Sequence, residues 1–250
     1  MVTGADDNKK RQVVLVTGAA RGIGLAIAEA LANGGHRLVL NDIDAGGLDR
    51  AVAKIRQTGS AVLGLAGDVS DPDTVRGMVE QVMTQFGRID SLVNNAGIGG
   101  VGKTMLELSL EEWNEMLRVD LTSTFLMCRA VLPHMKSLQR GRIVNISSIT
   151  AMMGVAGSTH YAAAKAGVIG LSKSLAREVA GDRINVNVIA PGLIDTAMSR
   201  KRGIDHQRHF VAWPRIGHPE DVAGLVNFLL SDEAEFITGQ VISPNGGAYM

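Results

Sequence analysis

The sequence is short of cysteine, of net charge and of long apolar runs, and each shortage removes a class of function. Its single cysteine, Cys128, excludes an intrachain disulfide and fits a reducing, cytoplasmic setting. Lysine plus arginine number 25 and aspartate plus glutamate 25, so the formal net charge is zero. With no extended basic run, nucleic acid is not an expected partner. No apolar stretch approaches the ~20 residues of a membrane span, so no membrane partner is expected either. The opening residues, MVTGADDNKKRQ, are polar where a signal peptide carries its apolar core; residues 1–11 read as a disordered leader. Histidines are scattered, HExxH is missing and no cysteines pair, so no metal site is expected.

What is present is a globular composition, 46% hydrophobic and 20% charged over 250 residues, enough for one large α/β domain or two small ones. Short β-branched runs alternate with longer amphipathic stretches. The runs QVVLVT (12–17), RLVLN (37–41), AVLGLA (61–66), SLVN (91–94), RIVNIS (142–147), INVNVIA (184–190) and QVIS (240–243) read as strands. Between them lie helical patterns. Ile23, Ile27, Ala30 and Leu31 share one face, and Ala45–Thr58 is a weaker helix loosened at its start by Gly46 and Gly47. Asp71-Pro72 caps a helix carrying Val75, Val79, Val82 and Phe86. Leu110–Met135, Ser158–Ala180 and Glu220–Leu230 are the later helices, and 195–215 is polar and irregular. Unbroken alternation without a repeat specifies a single domain, 12–250, of Rossmann type: a doubly wound parallel sheet of about seven strands with helices on both faces.

Such sheets bind ligands beyond the carboxyl ends of their strands. Gly18, Asp42, Asp68, Asn94, Ser148 and Pro191 all fall at or just past an expected strand end. Thr17-Gly18-Ala19-Ala20-Arg21-Gly22-Ile23-Gly24 lies between the first strand and the first helix, where glycines let backbone approach a pyrophosphate at a helix N-terminus. Its spacing is GxxxGxG, not the strict GxGxxG; alone it is equally a plain strand–helix turn. Asp42 is placed to accept from an adenosine ribose and repel a 2′-phosphate, which favours NAD(H), or it is a turn-forming Asx residue. Arg21 argues the other way, as a guanidinium able to take that phosphate and admit NADP(H). Asn94-Asn95-Ala96-Gly97 either contacts a cofactor or braces neighbouring strands. Pro191-Gly192-Leu193-Ile194-Asp195-Thr196 is a turn able to wall a nicotinamide amide.

Tyr161 and Lys165 stand four apart, on one face of the expected helix. Ser148 precedes Tyr161 by a loop long enough to fold back beside the phenol. A phenol, an ammonium and a hydroxyl converging on one point can move a proton to or from a carbonyl oxygen. Met152, Met153 and Val155 then form either an apolar pocket wall or core packing. The Arg- and His-rich stretch from Met198 to Trp213 either attracts an anionic substrate or is solvated, and His206 and His209 read as solvent-exposed. Cys128 reads as a small core residue.

In their order and spacing, TGAARGIG, NNAG, Ser148, YAAAK and PGLIDT resemble the short-chain dehydrogenase/reductase family from about Gln12 to Met250. The segments GRIVNISS, YAAAKAGVIGLSKSLAREVA, NVIAPGLIDTAM and SDEAEFITGQVISPNGGAYM look most like its 3-oxoacyl-[acyl-carrier-protein] reductase branch. The resemblance implies Tyr161 as general acid/base, Ser148 as donor to the substrate oxygen, and Lys165 as activator of the phenol and holder of the nicotinamide ribose. It implies dinucleotide contacts at Gly18, Arg21, Ile23, Asp42, Asp68, Val69, Asn94, Tyr161, Lys165 and Thr196. It also implies a substrate lid over about 195–215 and a homotetramer built on the long helices. Where the family has a catalytic asparagine, this chain reads Leu117-Arg118-Val119-Asp120. In the family that residue's main-chain carbonyl holds a water linked to the lysine, so Asp120 serves geometrically. Its charge would stabilise the Lys165 ammonium and partly cancel the pull on the phenol, leaving activity with a shifted pH optimum.

The expected activity is interconversion of a secondary alcohol and a ketone by hydride transfer with NAD(H), on a small-molecule substrate. Two alternatives stand: an NADPH-dependent 3-oxoacyl-thioester reductase, and a non-catalytic dinucleotide-sensing or scaffold protein.

Overall fold

Runs of aliphatic residues with no polar alternation are satisfied only in a layer covered on both faces. That is where these strands lie in the computed structural model, which describes residues 11–100, 102–200 and 208–250. Strands β1 (Val13–Thr17), β2 (Arg37–Asp42), β3 (Val62–Ala66), β4 (Ser91–Asn94), β5 (Gly141–Ile146), β6 (Ile184–Ile189) and β7 (Val241–Ile242) form one sheet in the order β3-β2-β1-β4-β5-β6-β7. Every pairing is parallel, with Leu15 level with Val39 on one side and with Leu92 on the other. The chain reverses its winding between β1 and β4, and the carboxyl ends there open the crevice in which such sheets bind ligands.

Alternate strand residues feed two separate cores. Val14, Val16, Leu38, Leu40, Val93 and Val144 pack beneath α1 (Gly22–Asn33) and α2 (Ala45–Arg56). Val13, Leu15, Val39, Leu92 and Ile143 face α3 (Pro72–Phe86) on the other side. The helices start and stop where local chemistry dictates. Asp44 caps α2 through the Gly47 N–H; Asp71 caps α3 through the Thr74 N–H at 2.8 Å, with Pro72 in its first turn and left-handed Gly87 ending it.

The long helix expected from Leu110 to Met135 is not continuous. It comprises α4 (Leu110–Leu117), a π turn at Arg118–Thr122, and α5 (Ser123–Leu138). A π turn admits one extra residue. Here it resets the phase between Met116 on α4 and Met127, Val131 and Met135 on α5, and it leaves Asp120 fully buried. Helix α6 (Thr159–Val179) then runs back beneath β5 and β6, and α7 (Pro219–Leu229) packs against α1.

The leader expected over 1–11 lies outside the described residues except for Arg11, whose carbonyl accepts from Arg37 Nη2. His206 also lies outside them, and His209 is exposed. Among the described residues no helix is long and apolar enough to cross a membrane.

Leu15 is fully buried in the central strand. Leu15→Ala is expected to cost about 2–5 kcal/mol, read as a lower urea midpoint at unchanged slope.

Candidate active site

The first wall of the crevice is the turn between β1 and α1. Gly18 and Gly22 adopt left-handed backbone, with φ of 64° and 58°. A Cβ on Gly18 would stand 2.9 Å from Ala96 Cα, and one on Gly24 only 2.1 Å from the Gly18 carbonyl oxygen. The turn is therefore folded tightly on itself and against the NNAG segment, as only glycine permits. Helix α1 carries no side-chain cap and no acid in its first turn, in contrast to the capped α2, α3 and α4. Its free N–H groups and positive dipole end suit a pyrophosphate. Thr196 closes this position from above: its Cγ2 lies 3.6 Å from where a Gly22 Cβ would sit. Residues at both ends of the sequence thus flank one cradle that fits a dinucleotide. Ile23 lies in the first turn of α1, half-buried against the core.

At the end of β2 the Asp42 carboxylate is buried and tied down. Oδ2 accepts the Ala20 N–H at 2.9 Å and Oδ1 the Asp44 N–H at 3.0 Å. It therefore makes an Asx-type turn and also fixes a negative charge at the edge of the glycine loop; the two readings coexist. Arg21 does not turn toward Asp42 but stands 4.0 Å from Asp44, largely in solvent. Past β3, Asp68 accepts from Ser70 N–H at 2.9 Å and Ser70 Oγ at 2.5 Å, and pairs with Arg118 Nη1 at 2.7 Å. Although partial burial opposes it, these hydrogen bonds and the guanidinium hold its carboxyl below the usual range. Val69 beside it is buried.

Asn94 and Asn95 act as braces. The Asn94 side chain is buried and donates to Asn145 Oδ1 at 2.8 Å, and Asn145 donates on to Ser172 Oγ at 2.8 Å, linking β4, β5 and α6. Asn95 Nδ2 donates to the Thr17 and Gly18 carbonyls, both at 3.0 Å. The Asn94 side chain is thereby committed to the frame, and what it offers the crevice is main chain.

The second wall is β5 and α6. Ser147 Oγ donates to the Lys165 carbonyl at 2.9 Å, clamping the strand end to the helix. Ser148 Oγ accepts the Thr150 N–H at 3.2 Å, which fixes its position. Lys165 is buried, with Nζ 3.2 Å from the Ile146 carbonyl, 3.0 Å from Asp120 Oδ2 and 5.9 Å from the Tyr161 ring centre. The Asp120 contact is close but out of hydrogen-bond alignment, so charge more than directionality holds the pair. Asp120 Oδ1 accepts the Ile98 N–H at 2.7 Å. Burial pushes the ammonium down, but Asp120 and then Tyr161 outweigh it and hold Lys165 above its ordinary value. The side-chain carboxylate of Asp120, not only its main chain, thus faces the lysine.

Gly97, Thr17, Asn145 and Ser172 have roles that their motifs alone do not assign. Gly97 is required because a Cβ there would stand 2.9 Å from Asp120 Oδ2 and 3.2 Å from Lys165 Nζ; its place in NNAG is the available signal. Thr17 Oγ1 accepts both the Asn95 and Ala96 N–H groups at 3.0 Å. The Asn145–Ser172 pair is signalled only by polar residues interrupting apolar patterns. Cys128 is buried beside Asn94 and Asn145, and burial pushes its thiol up to about 12. Met152, Met153 and Val155 are exposed and so are not core.

Comparison with known proteins agrees with this geometry. A family model described as enoyl-(acyl carrier protein) reductase matches residues 18–249. The chain is similar to the 3-oxoacyl-[acyl-carrier-protein] reductase of Escherichia coli strain K12, 42% identical over 246 residues, 97% of this chain and 99% of that protein. The protein of the same description from Thermotoga maritima is 39% identical over 239 residues, 94% of this chain and 97% of that protein. Among solved structures, levodione reductase matches with a TM-score of 0.92 at 33% identity, covering 94% of this chain and 96% of that one.

If Asp120 offsets part of the lysine's pull on the phenol, its neutral isostere should release that pull. Asp120→Asn is expected to retain turnover and to move the alkaline rise of the oxidation rate to lower pH, because the charge that holds Lys165 above its ordinary value is removed. A pH–rate profile superimposable on that of the unaltered chain would show that the carboxylate charge plays no part.

Proposed function

The chain belongs to the short-chain dehydrogenase/reductase family, oxidoreductases that use a nicotinamide dinucleotide on a CH–OH or ketone group, and we propose that it interconverts a secondary alcohol and a ketone with NAD(H). The observation that carries the reading is the buried Lys165 ammonium, held by Asp120 one helical turn from Tyr161 and clamped through its carbonyl to Ser147. The dinucleotide, when bound, supplies or accepts the hydride. Tyr161 gives its proton to the ketone oxygen in reduction and takes the alcohol proton in oxidation. Ser148, already accepting from Thr150, keeps its own proton to donate to the substrate oxygen as charge develops there. Lys165, its ammonium one helical turn from the phenol, would also hold the nicotinamide ribose. Gly18 and Gly24 let the turn fold tightly at the uncapped N-terminus of α1, whose N–H groups would hold the pyrophosphate, with Thr196 beside Gly22.

The charge inventory beside the adenosine ribose supports NAD(H). Asp42 is buried with both oxygens fixed, so it cannot swing away from a 2′-phosphate. Arg21, which would favour NADP(H), is drawn toward Asp44. An NADPH-dependent 3-oxoacyl-thioester reductase is the second reading, favoured by the names of the relatives. A sensing or scaffold role has no such support. In this reading residues 12–250 are one catalytic domain and 195–215 its lid, of which 201–207 fall outside the described residues. Exposed Leu110 and Phe125 on α4 and α5, with the alanine-rich face of α6, suit a homotetramer. The buried free thiol of Cys128 suits a cytoplasmic setting.

Two measurements test this. Tyr161→Phe is expected to lower kcat by about 10²–10⁴ while dinucleotide affinity, followed by NADH fluorescence, stays within a few-fold; full turnover would refute the mechanism. Asp42→Ala is expected to raise KM for NAD⁺ and to gain NADP⁺ turnover, and no gain would remove the argument for cofactor choice.

A further inference from the structure

The groups around the site also bear on the substrate, provided that the site exchanges alcohols and ketones as proposed above. The wall beyond Ser148 is a single helical turn, Thr150–Met153, built directly on that serine: the Ala151 N–H donates to the Ser148 carbonyl at 3.0 Å, and the Thr150 N–H to its hydroxyl. Residues 149–159 contain no charged side chain. Met152, Met153 and Val155 are apolar yet 37%, 46% and 48% exposed. Left-handed Gly157 brings this loop against the one leaving β4, where a Cβ would stand 3.2 Å from the Gly102 carbonyl carbon. That second loop carries Ile98, whose N–H is pinned by Asp120 and whose side chain is also partly exposed. Met198 is exposed on the turn after Thr196.

The cations on the described flanking segments are paired within the chain. Lys103 is bound to Glu112. Arg200 holds Asp195 through two bonds of 2.6 and 2.9 Å, and Arg215 holds Asp221 through two of 2.6 and 2.8 Å. Arg208 donates to the Val211 and Pro214 carbonyls. An acyl group delivered on a phosphopantetheine arm brings a phosphodiester, which a guanidinium or ammonium not already paired would favour. Exposed methionines instead offer a soft, polarisable surface that adapts to rings and branched chains.

We propose that the substrate is an uncharged, largely apolar ketone and its secondary alcohol, of free small-molecule size, and not an acyl thioester carried on phosphopantetheine. The apolar wall Met152–Met153–Val155 is its specificity surface. Nothing is asked of it in the proton transfer itself; it selects which carbonyl reaches Ser148 and Tyr161.

The test is steady-state reduction by saturating NADH of a cyclic diketone, a branched aliphatic ketone, acetoacetyl-coenzyme A and acetoacetyl-carrier protein. The free ketones are expected to exceed both thioesters in kcat/KM by about tenfold or more, with little change between about 0.05 and about 0.5 M salt. Met153→Glu is expected to raise KM for the free ketones about tenfold, leaving KM for NADH and the thermal midpoint in place, while Met153→Leu behaves as the unaltered chain. A thioester preferred over the ketones, with kcat/KM falling steeply in salt and lost in Tyr161→Phe, would overturn the substrate class while leaving the alcohol–ketone chemistry intact. Unchanged kinetics in Met153→Glu would remove the wall from the proposal. No turnover of any of the four with either dinucleotide would overturn the chemistry and the substrate class together.

Discussion

A lysine ammonium inside a protein must be compensated, and much of this molecule is arranged around compensating one. Isolated burial of such a charge is too costly to persist, and removing one partner of a buried pair typically costs about 3–5 kcal/mol. Lys165 is compensated by Asp120 at 3.0 Å and by the Ile146 carbonyl at 3.2 Å. Each of these partners imposes a demand further out. Asp120 reaches the lysine from a π turn between α4 and α5. Gly97 must lack a side chain so that the β4 loop can pass over the pair. Ser147 clamps the lysine's own carbonyl, adding to the Lys165–Ile146 and Asn145–Ser172 bonds that tie β5 to α6. Tyr161, the acid–base group proposed above, is then placed almost incidentally, one turn along a helix that the lysine has already fixed.

The same arrangement joins the two walls of the crevice. The glycine turn after β1 is held by Asn95 and by contact with Ala96, and the segment containing them continues through Gly97 to Ile98, which Asp120 pins. One short loop therefore touches the glycine turn at one end and the Lys165–Asp120 pair at the other, with its polar side chains used on the frame.

The sheet was legible in the sequence because each strand is a short, largely apolar run and the helices between them carry a 3.6-residue period; all seven strands fall where those patterns place them. The π turn was not legible. Its residues, Arg118–Thr122, continue the helical pattern, and only tertiary pairing of Asp120 with a lysine on another helix selects the wider turn. Positions of Tyr161, Lys165 and Ser148 were readable from spacing, since helical phase and strand ends are local properties. The use of the Asn94 side chain was not, because an amide at a strand end serves cofactor and frame equally well until its neighbour Asn145 is seen. The neighbour of Arg21 was not legible either, because Asp44 lies past the end of β2 at Asp42 and its distance from Arg21 is set by the turn.

Likeness to acyl-carrier-protein reductases over 97% of the chain and likeness in substrate are different physical statements. Strand burial, glycine clearances and the lysine pair constrain residues throughout the chain, and these dominate any overall identity. The surface that meets the substrate is a few side chains on loops, and Met152, Met153 and Val155 support no core contact that would fix their identity. They are therefore free to change while everything that makes the fold and the hydride chemistry stays in place. In this chain that freedom is used for an uncharged wall, and the dinucleotide side of the crevice carries buried Asp42. Both features support the proposed NAD-linked exchange between free alcohols and ketones, and neither is dictated by the fold.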